Sequence, residues 1–370
     1  MTGTTTTAAV GAEAGGSAAS GGRALRVLTT RGGDDLSANP YVSTLAAHTD
    51  ALLQVREFTW ARALLGRFDV IHLHWPEALV RSPSRWKHAG KLALFRLLIA
   101  LDRLRRRAHV STIHNLSPHE SGSPAEDAVL RAWLASCAVR IYLTHAGLAE
   151  AGDERGVVIP HGDYAEYVRR HRPAGPAAPA AAPTGRLLLF GMLRRYKGIE
   201  RLIEAFGEIG DDRGLRLLVA GKAIDADYER LLGELAAARP GVEVRADHFL
   251  GHDELIGLIE DCEVVVLPYE RMYNSGAALM ALTVGRPVAA TDSPSMAELR
   301  AEFGAEWIQP LPAQLTPEAL TAAVDALRSS PRAALPDWSA RNWPAIAAAH
   351  RDAYQRAVSA VRAARGAPVD

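Results

Sequence analysis

Two segments of the chain place cations, small residues and a hydroxyl directly after apolar runs. Residues 190–198 read FGMLRRYKG after the run 187–189, and residues 269–288 read YERMYNSGAALMALTVGRPV after the run 264–267. In an open parallel sheet, ligands bind beyond the carboxyl ends of the strands, where helix N-termini favour anions. The residues of these two turns that suit a diphosphate are Gly191, Arg194, Lys197, Asn274, Ser275 and Gly276.

Arg194 and Lys197 also admit a plainer interpretation, as two solvated cations at the start of a helix. Positive charge is unfavourable at that end of the helix dipole, which favours an anion between them. Arginine can bridge two phosphate oxygens and lysine acts as a compact charge, so neither requires a metal or another cofactor. Ser275 is also an ordinary N-cap, a role that is compatible with phosphate binding. Glu270 either accepts ribose hydroxyls or is merely solvated.

A second group of polar residues lies in the N-terminal half, where residues 71–77 read IHLHWPE. His72 and His74 alternate with apolar neighbours and so point to the same face of a strand. No carboxylate or thiolate trio accompanies them at ligand spacing, which argues against a metal site. Trp75 and Pro76 limit the hydration of Glu77 and should raise the pKa of its carboxyl toward that of a useful base. Glu77 is therefore the first candidate for a general base.

The composition is that of a globular protein. The 370 residues carry 42 basic and 42 acidic side chains, and 48% are hydrophobic, so nothing points to nucleic acid as a partner. The two cysteines, Cys137 and Cys262, lie in separate halves, which argues against a disulfide framework. No secretory signal or bilayer-spanning segment is evident, so the sequence predicts a cytoplasmic protein.

The order of apolar runs and helical patterns predicts an α/β protein with two doubly wound Rossmann-like domains. Short, almost continuously apolar runs that alternate with longer helical patterns indicate a parallel sheet covered by helices on both faces. We predict a disordered tail at 1–23, a first domain at 24–171, a proline-rich linker at 172–184, a second domain at 185–335, and a segment at 336–370 whose helix crosses back to the first domain. The predicted strands are 25–29, 70–74, 110–114, 140–144 and 157–160, then 186–190, 216–220, 242–246, 263–268 and 287–291.

Residues 81–107 are strongly basic, with nine Lys or Arg and a single acid, Asp102. Trp86, Phe95 and a leucine-rich face accompany these charges. A basic amphipathic helix of this kind can lie in the headgroup region of an anionic membrane. It can equally be a domain helix whose apolar face packs on the sheet and whose cations face water. The sequence leaves both interpretations open.

The motifs FGMLRRYKG, LPYERMYNSG and ALTVGRPV, in this order in a C-terminal half, resemble those of nucleotide-sugar-dependent glycosyltransferases of the GT-B fold. The resemblance implies two facing Rossmann-like domains with the donor nucleotide on the second and the acceptor on the first. It implies glycosyl transfer in the cleft between them, with Glu270 among the donor-binding residues. A base would take the proton of the acceptor hydroxyl while cations stabilise the leaving diphosphate.

The first half has a narrower resemblance, carried by residues 39–41 (NPY), 71–77 and 112–120 (TIHNLSPHE). These segments are similar to β-mannosyltransferases of exopolysaccharide assembly, which use GDP-mannose and a polyprenyl-diphosphate-linked acceptor. The resemblance implies a mannose donor, a glycolipid or saccharide acceptor, and an enzyme that can be peripheral at the inner face of the cell membrane. It also implies that His114 contacts the donor sugar or its phosphate. Glu120, with His119, is the alternative to Glu77 as base.

One residue departs from the family pattern. Retaining members carry a glutamate that bonds the donor ribose from the helix after the Ser-Gly turn, and the corresponding position here is Met280. A thioether cannot make that contact. Either Glu270 or a main-chain group holds the nucleoside, or the chain is an inverting enzyme, or the donor site is degenerate. A non-catalytic partner of an active transferase and a sugar-nucleotide epimerase are the alternative functions.

Overall fold

The protein has two α/β domains, each built on a six-stranded parallel sheet. The structure is a computed structural model that describes residues 24–30, 40–49, 53–115, 122–172, 184–209, 213–270, 272–332 and 334–364. The predicted tail at 1–23, most of the predicted linker and the candidate bases His119 and Glu120 lie outside the described residues. Among the described helices, none is long and apolar enough to cross a membrane.

The first domain has strand order β2-β1-β3-β4-β5-β6. Its apolar strands are packed between α1 and the C-terminal helix on one face and α4 and α5 on the other. Its strands are β1 (Leu25–Thr29), β2 (Leu53–Glu57), β3 (Val70–Leu73), β4 (Ala108–Ile113), β5 (Val139–Tyr142) and β6 (Gly156–Val158). Its helices are α1 (Pro40–Ala47), α2 (Trp60–Leu65), α3 (Pro76–Val80), α4 (Arg85–Arg105), α5 (Pro124–Ser136) and α6 (His145–Ala151). The next helix, α7 (Ala165–His171), packs on the second domain, where Val168 joins the core.

The second domain has strand order β12-β11-β10-β7-β8-β9 and a core on each side of the sheet. Its strands are β7 (Arg186–Phe190), β8 (Arg216–Ala220), β9 (Val242–Arg245), β10 (Val264–Leu267), β11 (Val288–Thr291) and β12 (Ile308–Leu311). The helices that follow in the chain are α8 (Ile199–Gly207), α9 (Ala226–Ala237), α10 (His252–Asp261), α11 (Gly276–Thr283), α12 (Pro294–Phe303), α13 (Pro317–Ser329) and α14 (Trp343–Ala363). The predicted doubly wound α/β architecture is confirmed.

The strand order of each sheet reverses at one point, and both points carry candidate site residues. In the second sheet the chain runs outward from β7 on one side and from β10 on the other, so the two motif turns follow adjacent strands. In the first sheet the reversal lies between β1 and β3, and residues 74–77 follow β3. Crevices at such reversals are where open α/β sheets bind ligands.

The helix α14 lies on the first domain although it follows every strand of the second. Trp343, Ile346 and Tyr354 pack into the core that contains Val27 and Val110. The crossing is held just before the helix, where the guanidinium of Arg341 donates to Glu302 and to the carbonyl of His161. The C-terminal helix α14 is thus part of the core of the first domain.

Candidate active site

A cleft of about 550 Å³ lies between the two domains and is lined by residues of both. The first domain contributes the turns after β3 and β4, and the second contributes the turns after β7 and β10. The cleft brings together six of the ten residues singled out from the sequence. These six are Glu77, His114, Arg194, Lys197, Asn274 and Gly276.

The two turns of the second domain are held against each other by the backbone. The amide of Glu270 donates to the carbonyl of Tyr196 at 2.9 Å. Gly198 has φ +64°, and a Cβ there would lie 2.3 Å from the carbonyl oxygen of Pro268. Only glycine combines this backbone conformation with so close an approach. The cations of the first turn are therefore fixed relative to Asn274 and Gly276 of the second.

Lys197 is a cation of this cleft whose charged form is destabilised by burial. Its side chain is 8% exposed, and its Nζ lies 3.4 Å from the carbonyl oxygen of Phe190 and 5.2 Å from the centre of the Tyr269 ring. Burial, with the nearby charge of Arg194, lowers its pKa to about 7. A phosphate bound at this point would supply the missing counter-charge and restore the protonated form. The surroundings of Lys197 therefore favour the binding of an anion.

Glu77 faces the same cleft from the first domain, as the second residue of the short helix α3. Burial raises the pKa of its carboxyl, while its own backbone amide and Arg81 act in the opposite direction. The direction agrees with the sequence-based expectation. Arg81 also lines the cleft and pairs with Glu126 through contacts of 2.8 Å. Glu77 thus combines access to the cleft with the protonation behaviour that a general base requires.

Glu77→Gln should lower the transfer rate by about 100-fold or more, because general-base catalysis contributes factors of this size. The amide keeps the size of the side chain but cannot accept a proton. Donor affinity should be nearly unchanged, which equilibrium binding of the nucleotide would check beside initial rates. A normal rate in this variant would move the base to Glu120 or His119.

His114 reaches the cleft at the end of β4, stacked on Trp75. The ring centres lie 4.1 Å apart with an angle of 16° between the planes. Its Nε2 lies 3.3 Å from Nδ1 of His74. Burial lowers the pKa of His114 to about 3, so the ring is neutral at physiological pH. His114 can therefore act in the cleft as a neutral hydrogen-bonding group.

Behind His114 lies a histidine cluster that connects the cleft to α14. Its members are His72, His74, His114, His161 and His350. Nδ1 of His72 contacts the Tyr354 hydroxyl at 2.9 Å, and its Nε2 contacts Thr112 at 2.8 Å. The pKa of every member is lowered, chiefly by burial. His72 is therefore a neutral, fully hydrogen-bonded core residue; among the described residues, no group of three His, Cys, Asp or Glu side chains is placed to hold a metal ion.

Three of the described residues that were singled out from the sequence are not on the cleft wall. Ser275 is 3% exposed and caps α11, with its hydroxyl accepting from the amide of Ala278 at 3.2 Å. Glu270 turns away and lies 3.8 Å from Arg201, and Gly191 lies behind Lys197 with φ +97°. Glu120 lies outside the described residues. Met280 is buried in the core of the second domain.

Sequence reasoning passed over several residues of the cleft wall. Met192 and Tyr196 sit within the first motif, and Asn115 follows His114 directly, but their types carry no specific signal. Proximity to the predicted cations was the one available indication.

Comparison with known proteins assigns the chain to a family. Residues 184–329 match the family described as "Glycosyl transferases group 1". A protein named GDP-mannose:glycolipid 4-beta-D-mannosyltransferase, from Xanthomonas campestris pv. campestris, is 34% identical over 337 residues, which cover 90% of this chain and 93% of that protein. This relative aligns with both domains, including the segments that form the cleft.

Solved structures agree on the fold. A sucrose-phosphate synthase from Thermosynechococcus elongatus superimposes with a TM-score of 0.56 at 17% identity, covering 92% of this chain and 94% of that one. Anabaena HepE, in complex with UDP and glucose, superimposes with a TM-score of 0.53 at 15% identity, covering 92% and 97%. Two six-stranded parallel sheets that face a shared cleft, together with these matches, show that the chain belongs to the group 1 glycosyltransferases and has the GT-B fold.

Proposed function

We propose that this glycosyltransferase moves mannose from GDP-mannose onto a glycolipid acceptor. The observation that carries the proposal is the cleft, in which Arg194 and Lys197 of one domain face Glu77 and His114 of the other. The relative from Xanthomonas campestris bears the name of this reaction and aligns with both domains. The two cations would bind the diphosphate of the donor and stabilise it as the leaving group.

The reaction that we propose inverts the configuration at the transferred sugar. A β-linked product from an α-linked sugar nucleotide requires one displacement, with a base on the acceptor side. Glu77, on the wall opposite Arg194 and Lys197, is the residue that would take the proton of the acceptor hydroxyl. Met280 supports this branch, because a thioether cannot make the ribose contact expected of retaining members.

Donor specificity can be measured by the thermal shift of the protein with GDP-mannose, UDP-glucose and dTDP-glucose. At 100 times Kd a ligand stabilises the folded protein by about 2.7 kcal/mol, so selective stabilisation identifies the donor. We expect GDP-mannose to raise Tm most, and transfer of labelled mannose to a lipid fraction to follow. Binding without transfer to any acceptor would instead support a non-catalytic partner protein, and conversion of the donor alone would support an epimerase.

We further propose that α4 lies on an anionic membrane surface, where a lipid-linked acceptor would be found. Its inner face packs into the first domain through Leu92, Phe95 and Leu98. Its outer face carries a second apolar stripe at helical spacing, formed by Trp86, Gly90, Ala93, Leu97, Ala100 and Leu104. Trp86 is 78% exposed and Leu104 is 79% exposed. A domain helix with only one buried face does not need this second stripe.

The cations beside the apolar stripe of α4 would be attracted to an anionic membrane surface. Arg85, Lys87, Arg96 and Arg103 flank it and are exposed. Asp102, the one acid of the segment, is buried against Arg107 and His109, so it does not offset these cations at the surface. Apolar side chains between exposed cations are the pattern of helices that lie in the headgroup region.

The triple variant Trp86→Ser, Leu97→Ser, Leu104→Ser should lose most of its binding to vesicles that contain phosphatidylglycerol. Flotation of the protein with such vesicles, and with neutral phosphatidylcholine vesicles, measures the effect. Leu335→Ser, at a side chain that is 40% exposed in the segment before α14, is the control and should bind normally. Equal flotation of wild type and triple variant would contradict the membrane proposal and leave the donor proposal intact.

A further inference from the structure

His74 is a buried histidine in the wall of the cleft, and one of its ring nitrogens has no hydrogen-bond partner. The residue follows β3 and is 2% exposed. Its Nδ1 lies 3.3 Å from Nε2 of His114. Its Nε2 has no hydrogen-bond partner in the part of the chain that the structure describes. Buried polar atoms without a partner are rare and need an explanation.

The contact between the two rings needs one proton and allows two arrangements. Both rings are neutral, because burial lowers the pKa of each, so each carries a proton on one nitrogen only. Either Nδ1 of His74 donates to His114, or Nε2 of His114 donates to His74. The second arrangement forces the proton of His74 onto its Nε2.

The unpartnered nitrogen decides between these arrangements. With the proton on Nε2, His74 would bury an N–H group without an acceptor, which is the rarest defect in native structures. With the proton on Nδ1, that N–H is satisfied by His114 and Nε2 holds only a lone pair. The first arrangement is therefore favoured, and it fixes the proton of His114 on its own Nδ1.

We propose that His74 is a positioning residue whose Nδ1–H donates to Nε2 of His114 and thereby keeps the proton of His114 on Nδ1, as a hydrogen-bond donor to a substrate oxygen in the cleft. Among the described residues, the one hydrogen bond of the His114 ring is the contact of its Nε2 with His74, so its Nδ1 has no partner there. The half-buried ring lines the cleft between Trp75 and Asn115. The donor nitrogen is thus available to a ligand.

The inference rests on the proposed function and assigns separate roles to His114 and Glu77. The protonated Nδ1 of His114 cannot accept a proton, and its Nε2 is occupied by His74. His114 is then a neutral donor to the sugar or phosphate, and the acceptor hydroxyl loses its proton to another group, for which Glu77 is placed. The hydrogen bond of a second group sets which nitrogen of a histidine carries the proton. His74, which lines the same cleft, would therefore control this role through its bond to His114.

The first test reads the position of the proton directly. Nitrogen-15 NMR of histidine-labelled protein, assigned with His114→Ala, should show His114 protonated on Nδ1 in the full chain. In His74→Leu the proton should move in part to Nε2, and in His74→Asn it should stay, because the Asn amide can donate from the place of Nδ1. This measurement needs no transferase activity, so it stands even if the proposed donor is wrong. His114 protonated on Nε2 in the wild type would overturn the inference.

The second test separates positioning from packing. His74→Leu should lower kcat on the order of 10- to 100-fold, the range seen when the partner of a functional histidine is removed, and His74→Asn should recover most of the loss. The double variant His74→Leu, His114→Ala should be no slower than His114→Ala alone, since His74 acts only through His114. Losses that multiply in the double variant, or equal losses in His74→Leu and His74→Asn, would show that His74 serves only the core.

Discussion

Arg194→Ala and Lys197→Ala should each lower kcat/KM for sugar transfer by about 30- to 1,000-fold. These cations would stabilise the leaving diphosphate, and removal of a preorganised partner of developing charge costs about 2–4 kcal/mol of transition-state stabilisation. Lys197 should show the larger effect, because its Nζ is buried and its pKa is already lowered to about 7 in the absence of an anion. Initial rates at varied donor concentration measure both variants.

The neighbouring cation provides a matched control. Arg195 lies between the two in the chain, but its side chain is 63% exposed, pairs with Glu200 at 3.7 Å and covers the Tyr228 ring rather than the cleft. Arg195→Ala removes the same charge and should keep kcat/KM within a few-fold of the wild type, since exposed ion pairs contribute little. Equal losses in all three variants would mean that net charge, and not contact with the diphosphate, is what matters.

The histidine cluster should make the protein unusually sensitive to mild acid. The pKa values of His161 and His350 are lowered to about 4 from an ordinary 6.5, and those of His72 and His74 lie well below 6.5. Below pH 6.5 the unfolded chain binds protons that the folded chain excludes, so the free energy of unfolding falls as the pH falls toward 4. The loss is about 2 kcal/mol at pH 5 for each histidine with a folded pKa of about 4.

Urea unfolding at pH 7.5 and at pH 5.0 measures this loss. Carboxylates whose pKa is lowered by folding, such as Asp153 and Glu263, also stabilise the protein. They lose this stabilising effect only when the pH falls to their ordinary pKa values of 3.8 and 4.5 or below, so the change at pH 5.0 is due mainly to histidines. His350→Gln should reduce the difference between the two pH values by about 2 kcal/mol. Equal stability of the wild type at both pH values would contradict this account.

The sequence predicted the central strands well and missed two of the four edge strands. The limits of β7 and β8 agree with prediction, because RLLLF and RLLVA are short apolar runs between polar turns. β2 (LQVRE) and β12 (IQPL) were missed, since each pairs on one side only and so tolerates polar residues and proline. The predicted strands β3, β4 and β5 extended too far, to His74, His114 and Thr144. These residues already belong to the turns that face the cleft or cap a helix.

The site was predictable in its residue types and not in its contacts. Polar residues directly after an apolar run predict the turns that follow β7 and β10. The same pattern after β3 and β4 predicts Glu77 and His114 as site residues. The burial of Lys197 was not predictable, because it depends on the short 3₁₀ turn at Arg195–Lys197 that folds its Nζ back toward Phe190. The partners of His72 and His350 were hidden for a different reason, since Tyr354 and Tyr41 lie about three hundred positions away in the chain.

The crossing of α14 has a consequence for biosynthesis. Vectorial translation delivers the six strands of the first sheet early, but one of its faces is covered only in part, by α1, until Trp343, Ile346 and Tyr354 emerge from the ribosome. All strands of the second sheet lie between Arg186 and Leu311, so that sheet can close before its predecessor. The nascent chain therefore carries a partly uncovered apolar surface for the whole interval, so we expect the first half to aggregate more readily than the second during synthesis.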